Sequence, residues 1–174
     1  MDAFECIKKR RSIRNYIEQP VPELLINKLI ESAIWAPSGK NGQPWLFLPL
    51  TQKEEIQYIS EYTIYKKWVS QAPCLILVFL NLDKSYNYIR DVQSVGAAIQ
   101  NILLAAHENG LGTCWIGEIL NRKEEVQKML EIDSSQLELM AAITLGYTKK
   151  SLVDGKRRPL SSFIMLNDRR KRYE

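Results

Sequence analysis

The chain has 174 residues, of which 45% are hydrophobic. That is enough to fill the core of one domain and excludes an intrinsically disordered chain. Its 24 basic and 20 acidic residues give a net charge of +4, and the excess sits at the two ends. The three cysteines, Cys6, Cys74 and Cys114, are widely spaced and odd in number, which argues against a disulfide framework and for a reducing compartment.

No signal-peptide pattern opens the sequence, and the longest apolar run, Cys74 to Leu80, is too short to span a bilayer as a helix. The expectation is a cytoplasmic, soluble chain without membrane partners. No repeat or Gly/Ser linker interrupts residues 1–174, so a single domain is expected.

Ala3 to Lys9 reads as a short helix. The cationic run Arg10-Arg11-Ser12-Ile13-Arg14 follows. A strong amphipathic helix is expected from about Pro22 to Ala36, with Leu25, Ile26, Leu29, Ile30, Ala33 and Ile34 in one stripe. Pro37 ends it, and the stretch to Trp45 is a loop by its prolines, glycines, serine and asparagine. Trp45 to Leu50 suggests a short strand, which Pro49 places at an edge or terminates. Thr51 with Glu54 reads as a capping box opening a helix to about Tyr62. Thr63 to Ala72 carries no clear period.

Cys74 to Leu82 is a continuous apolar run with the length of a buried strand. A long helix then spans about Tyr88 to Glu108. Gly96, Ala97, Ala98, Ala105 and Ala106 keep much of its surface small, which suits either a second subunit or ordinary packing within the chain. Asn109 and Gly110 stop it. Gly112 to Ile119 predicts a strand, Asn121 with Glu124 a capped helix to about Leu130, Leu137 to Thr148 a strand, and Ser162 to Leu166 a last short strand. Helices and strands without strict alternation predict an α+β fold with a mixed central sheet flanked by helices.

Several chemistries lack their residues. His107 is the only histidine, so a zinc or iron site and a Ser-His-Asp triad have little to draw on. No Walker A loop is present. Gly110-Leu111-Gly112-Thr113-Cys114-Trp115 is half a dinucleotide fingerprint, but it follows a helix and precedes a strand, the reverse of what that motif requires. Aromatic residues do not interleave with the basic clusters as nucleic-acid stacking platforms would, so no nucleic-acid partner is expected. On charge alone Arg10 to Arg14 reads as a solvated basic face.

Four stretches in order change that reading. Arg10-Arg11-Ser12-Ile13-Arg14, Ala36-Pro37-Ser38-Gly39-Lys40-Asn41-Gly42-Gln43-Pro44-Trp45, Gly110 to Gly117, and Arg157-Arg158-Pro159-Leu160 together resemble the short members of the nitroreductase family of flavoproteins. The resemblance covers essentially the whole chain. It implies a nitroreductase-like fold, an intertwined homodimer and one FMN at each subunit interface. Arg10, Arg11 and Ser12 would hold the FMN phosphate, with Arg157 and Arg158 closing from the C-terminal side. Arg14 would face the pyrimidine edge and favour negative charge on the reduced ring. Pro37, Ser38, Gly39 and Asn41 would reach the flavin from the partner subunit. Trp115, Ile116, Gly117 and Glu118 would pass alongside the ring, with backbone N–H groups of Gly117 and Glu118 facing it.

The activity implied is transfer of a hydride from NADH or NADPH to the flavin, then of two electrons to a nitroaromatic, quinone or related acceptor, in ping-pong fashion. No catalytic side chain is required. Alternatives on the same scaffold are dehalogenation, flavin cleavage and ring dehydrogenation; another is a non-catalytic flavin- or anion-binding protein.

Overall fold

The computed structural model describes residues 2–149 and 155–164. Four strands form the sheet: β1 (Trp45–Leu50), β2 (Cys74–Asn81), β3 (Gly112–Ile116) and β4 (Leu137–Gly146). Their spatial order is β1-β2-β4-β3, and each neighbouring pair is antiparallel. One isolated parallel bridge, between Ser12 and Thr113, lies beyond β3 and is the one parallel pairing among the described residues. β1 is the opposite edge, which explains how Pro49 is tolerated there.

The continuous apolar run of β2 is explained by burial on both faces. Cys74, Ile76, Val78 and Leu80 point to one core and Leu75, Leu77 and Phe79 to the other. The first core is closed by α2 (Glu23–Ile34) and α5 (Tyr88–Glu108), through Ile26, Leu29 and Ala33 against Ala98, Ile99 and Ile102. The second is closed by α3 (Lys53–Ser60), α4 (Lys66–Val69) and α6 (Lys123–Met129), through Ile56, Ile59, Val69 and Val126. A register shift between Val78 and Phe79 re-aims β4, so Ala141 and Leu139 join opposite cores while Met140 is only partly buried. The N-terminal helix α1 (Ala3–Lys9) is capped by Asp2, which accepts from Glu5 N, and the thiol of Cys6 donates to Leu104 O of α5 at 3.3 Å.

The stripes predicted for α2 and α5 are present, although Ile34 at the end of α2 is exposed. Four local expectations are corrected. The Thr51–Glu54 capping box does not form: α3 starts at Lys53 with Gln52 at its N-cap and no side-chain cap bond. Asn121 does not cap α6 either, because a 3-10 turn, Glu118–Arg122, absorbs it and Arg122 becomes the N-cap. Arg122 instead pairs with Glu125 at 2.6 Å. β3 is correspondingly shorter than Gly112 to Ile119. Where Ser162 to Leu166 suggested a strand, Leu160–Phe163 is a 3-10 turn; Met165 and Leu166 lie outside the described residues. So do Arg169 to Arg172 of the basic end. Among the described residues no helix is long and apolar enough to cross a membrane.

Candidate functional site

The cationic run is fixed to the sheet edge by its backbone. Ile13 N donates to Thr113 O at 2.8 Å, next to the Ser12–Thr113 bridge. Gly112 makes this approach possible: a Cβ there would lie 2.8 Å from three carbons of Ile13. Further along, the Tyr16 hydroxyl donates to Ile13 O at 2.6 Å and lies 2.7 Å from Thr144 Oγ1 of β4, while Ile17 N donates to Tyr147 O at 3.0 Å. Arg10 to Ile17 is therefore held on both β3 and β4, although no local period in the sequence marks it as sheet-bound.

Three guanidinium groups converge on this edge. Burial, and after it the positive charges of Arg11 and Arg157, hold the Arg10 guanidinium below its ordinary pKa. Gly155 abuts Arg11, whose Cζ would lie 2.7 Å from an added Cβ. Arg11 Nη1 donates to Lys8 O and Arg10 O, both at 2.6 Å. Arg10 Nε is buried without a hydrogen-bond partner among the described residues. Neither Arg10 nor Arg157 has a carboxylate partner there. Like charges gathered at one edge, Arg10 among them with an orphaned buried donor among the described residues, fit an anion that accepts several charge-assisted bonds. Arg158 is turned differently, with its guanidinium 4.7 Å from the Phe163 ring centroid.

The exposed Ser12 lies beside Cys114. Burial raises the pKa of that thiol, while Arg14, a hydrogen bond from Ser12 and Arg10 oppose the rise. Arg14 projects from the same segment over the Trp68 ring, 5.6 Å from its centroid. On β3, Trp115 is 42% exposed and Ile116 is buried. Gly117 is the N-cap of the 3-10 turn that follows, so the first N–H groups of a short helix lie at Gly117 and Glu118. The Glu118 carboxylate accepts from the Thr63 hydroxyl and from Ile64 N, the latter at 3.2 Å. Tyr65 and Trp68 stack with ring centroids 5.5 Å apart.

The segment Thr63 to Trp68 thus joins the site through Glu118 and Arg14. Sequence reasoning left it unassigned, because α4 is only four residues long and its anchors are distant in the chain.

The remaining predicted residues lie elsewhere in the chain's own structure. Pro37, Ser38, Gly39 and Asn41 form a tight loop in which Ser38 Oγ accepts from Gln43 N at 3.0 Å and Gln43 Nε2 donates to Asn41 O at 3.2 Å. Lys40, Asn41 and Gln43 have φ of 54°, 55° and 48°, a left-handed conformation costly for lysine and glutamine and easier for asparagine. Gly39 packs so closely on Tyr86 that a Cβ would lie 2.2 Å from its hydroxyl oxygen. Tyr86 immediately precedes the Asn87 cap of α5, whereas Arg10 and Arg11 share a cavity with His107 and Gly110 at the other end of that helix. α5 has 21 residues, so the two ends stand about 30 Å apart. One chain does not bring the loop to the guanidinium cluster.

An antiparallel sheet between two helical layers, with a cluster of guanidinium groups at one edge, defines an α+β protein. The profile of the nitroreductase family matches residues 7–64 and 60–147. A provisionally named NADH dehydrogenase/NAD(P)H nitroreductase of Methanothermobacter thermautotrophicus is 38% identical over 151 residues, covering 84% of this chain and 78% of that protein. An iodotyrosine deiodinase of Thermotoga neapolitana is 34% identical over 170 residues, covering 83% and 87%. Among solved structures, a provisionally named nitroreductase of Desulfovibrio desulfuricans in complex with FMN superimposes with a TM-score of 0.88 at 37% identity, covering 94% of this chain and 95% of that one. The chain belongs to the nitroreductase family.

Proposed function

We propose that this protein is an NAD(P)H-dependent flavin oxidoreductase that holds one FMN between two copies of the chain. The observation that carries this reading is the gathering of Arg10, Arg11 and Arg157 at the β3 edge, with Arg10 Nε buried and unpartnered among the described residues. Arg10, Arg11 and Ser12 hold the phosphate and Arg157 approaches it from the C-terminal side, whereas Arg158, turned onto Phe163, would have to leave that ring to join them. When bound, FMN supplies the redox chemistry, taking two electrons from NADH or NADPH and passing them to an acceptor.

The chain's own residues bind and orient. Arg14 stands at the ring edge with its guanidinium over Trp68, where a positive charge favours the reduced, more negative ring. Gly117 and Glu118 offer N–H groups along the ring, and Glu118 keeps Thr63 and Ile64 beside them. Trp115, the exposed residue of β3, lines the approach, while the side chain of Ile116 is buried in the second core. Pro37, Ser38, Gly39 and Asn41 serve the partner's flavin. The separation of that loop from the arginines by the length of α5 supports a two-chain site. So does Trp35, 81% exposed where α2 enters the loop.

Nitroaromatics and quinones are the acceptors proposed. Reductive dehalogenation is a second reading, favoured by the similarity to iodotyrosine deiodinase.

The test starts with colour. Purified protein should be yellow, or become so with FMN, and sediment as a dimer. Anaerobic NADH or NADPH should bleach it, and a nitroaromatic or quinone should restore the colour. Failure to take up FMN defeats the reading, and a monomer that holds FMN defeats the two-chain site. Reoxidation by iodotyrosine with release of iodide, and by neither other class, selects dehalogenation.

A further inference from the structure

The cavity behind the arginine cradle contains a group that the reading above does not use. It has a volume of about 210 Å³ and is lined by Arg10, Arg11, Ile13, His107, Thr148 and the turn from Gly110 to Thr113. Two of its lining residues carry buried polar atoms without partners among the described residues, Arg10 Nε and His107 Nε2. A buried polar atom without a partner is costly, and a cavity of this size, of mixed lining with these two polar atoms at its wall, has room for ordered water. His107 lies in the last turn of α5. Lys9, Arg10 and Arg11 face it from the N-terminal segment. The turn from Gly110 to Thr113 and Thr148 bring no titratable group to the cavity, and the adjacent Glu108 acts on Cys6.

Resting on the FMN reading, we infer that His107 is a proton-coupled positioning residue of the phosphate cradle: when a phosphomonoester settles on Arg10 and Arg11, the imidazole behind them takes up a proton from solvent. The physical argument concerns what surrounds the ring. In the unliganded protein, burial holds its pKa below the ordinary histidine value, and Arg10, Arg11 and Lys9 push the same way. A phosphate dianion on those cations cancels their repulsion and adds attraction. Burial is then the main opposing influence left. The protonated ring donates from both nitrogens, so it can support Arg10 from behind through a shared water.

The sign follows by linkage. A ligand that raises a group's pKa is bound with proton uptake, so the His107 contribution to FMN affinity grows as pH falls through the histidine range. In the unliganded protein the same group acts oppositely on stability. Its folded pKa is depressed, so it costs stability as pH falls below the unfolded value of 6.5.

Because His107 is the only histidine in the sequence, its ring protons can be followed by NMR in untagged protein without assignment. The titration midpoint should lie below that of a free histidine without ligand. It should move upward with saturating FMN and remain low with riboflavin, which lacks the phosphate. Calorimetry of FMN binding in two buffers of different ionisation enthalpy should register proton uptake that His107→Gln reduces. Bound FMN, verified by fluorescence quenching, with an unmoved midpoint overturns the proposal and leaves the FMN reading intact. An equal shift with riboflavin also overturns it. Failure of FMN to bind removes the reading and the proposal together.

Discussion

Replacing both Arg10 and Arg157 by alanine is expected to weaken FMN binding by roughly 10²- to 10⁴-fold. The figure follows from two charge-assisted hydrogen-bonding partners at ~1.5–3 kcal/mol each, and coupling between neighbours makes the sum an upper range. The unliganded protein should respond in the opposite sense. Arg10 is half-buried, its Nε is unpartnered among the described residues, and Arg11 and Arg157 repel it. Removing two of the three charges relieves a folded-state cost, so the thermal midpoint of the apoprotein should hold or rise. Fluorescence titration with FMN and thermal unfolding of the stripped protein measure the two effects separately. If affinity were unchanged, these residues would leave the phosphate site. Lost affinity with a lower apoprotein midpoint would mark them as structural supports instead.

Gly112→Ala is expected to damage the same site without altering any charged group. The new Cβ would lie 2.8 Å from three carbons of Ile13, a contact that must be relieved by moving backbone. Overpacking of this kind costs ~1–3 kcal/mol, and a chain of this size loses about 2–4 °C of unfolding midpoint per kcal/mol. The shift would fall on the Ile13–Thr113 hydrogen bond and the Ser12 bridge, carrying Arg10 and Ser12 away from their positions. FMN affinity should therefore fall together with stability. Ile13→Ala in the same chain removes two of those three carbons but keeps the Cβ at 2.8 Å, so it should recover the affinity only in part. Unchanged midpoint and affinity in the single variant would show that the cradle is not pinned at this glycine.

The contrast between these two variants reflects what local sequence carries. α2 and α5 were legible because their apolar stripes repeat at helical spacing and proline or Asn-Gly stops them. β2 was legible because both its faces are buried. The capping residues misled because the neighbouring structure claimed them first. Thr51 follows directly on β1, and Asn121 falls inside a 3-10 turn. The motif residues named cofactor chemistry but not their own supports. Gly112 under Ile13, Tyr16 on Thr144, and Glu118 on Thr63 all join positions far apart in the chain. Such pairs leave no period in either partner. The segment Thr63 to Trp68 was opaque for the same reason, since distant side chains anchor it.

The length of α5 has a genetic consequence. In the proposed two-chain site its two ends would carry different halves, so every site in the assembly would draw one half from each chain. A lesion in the Arg10 cradle and a lesion in the Gly39 loop would then be complementary defects. Either mutant alone would assemble with both of its sites impaired. Mixed pairs of the two mutant chains would contain one doubly damaged site and one wholly intact one, so each would have half the activity of a normal pair, and cells expressing both chains equally with random pairing would regain about a quarter.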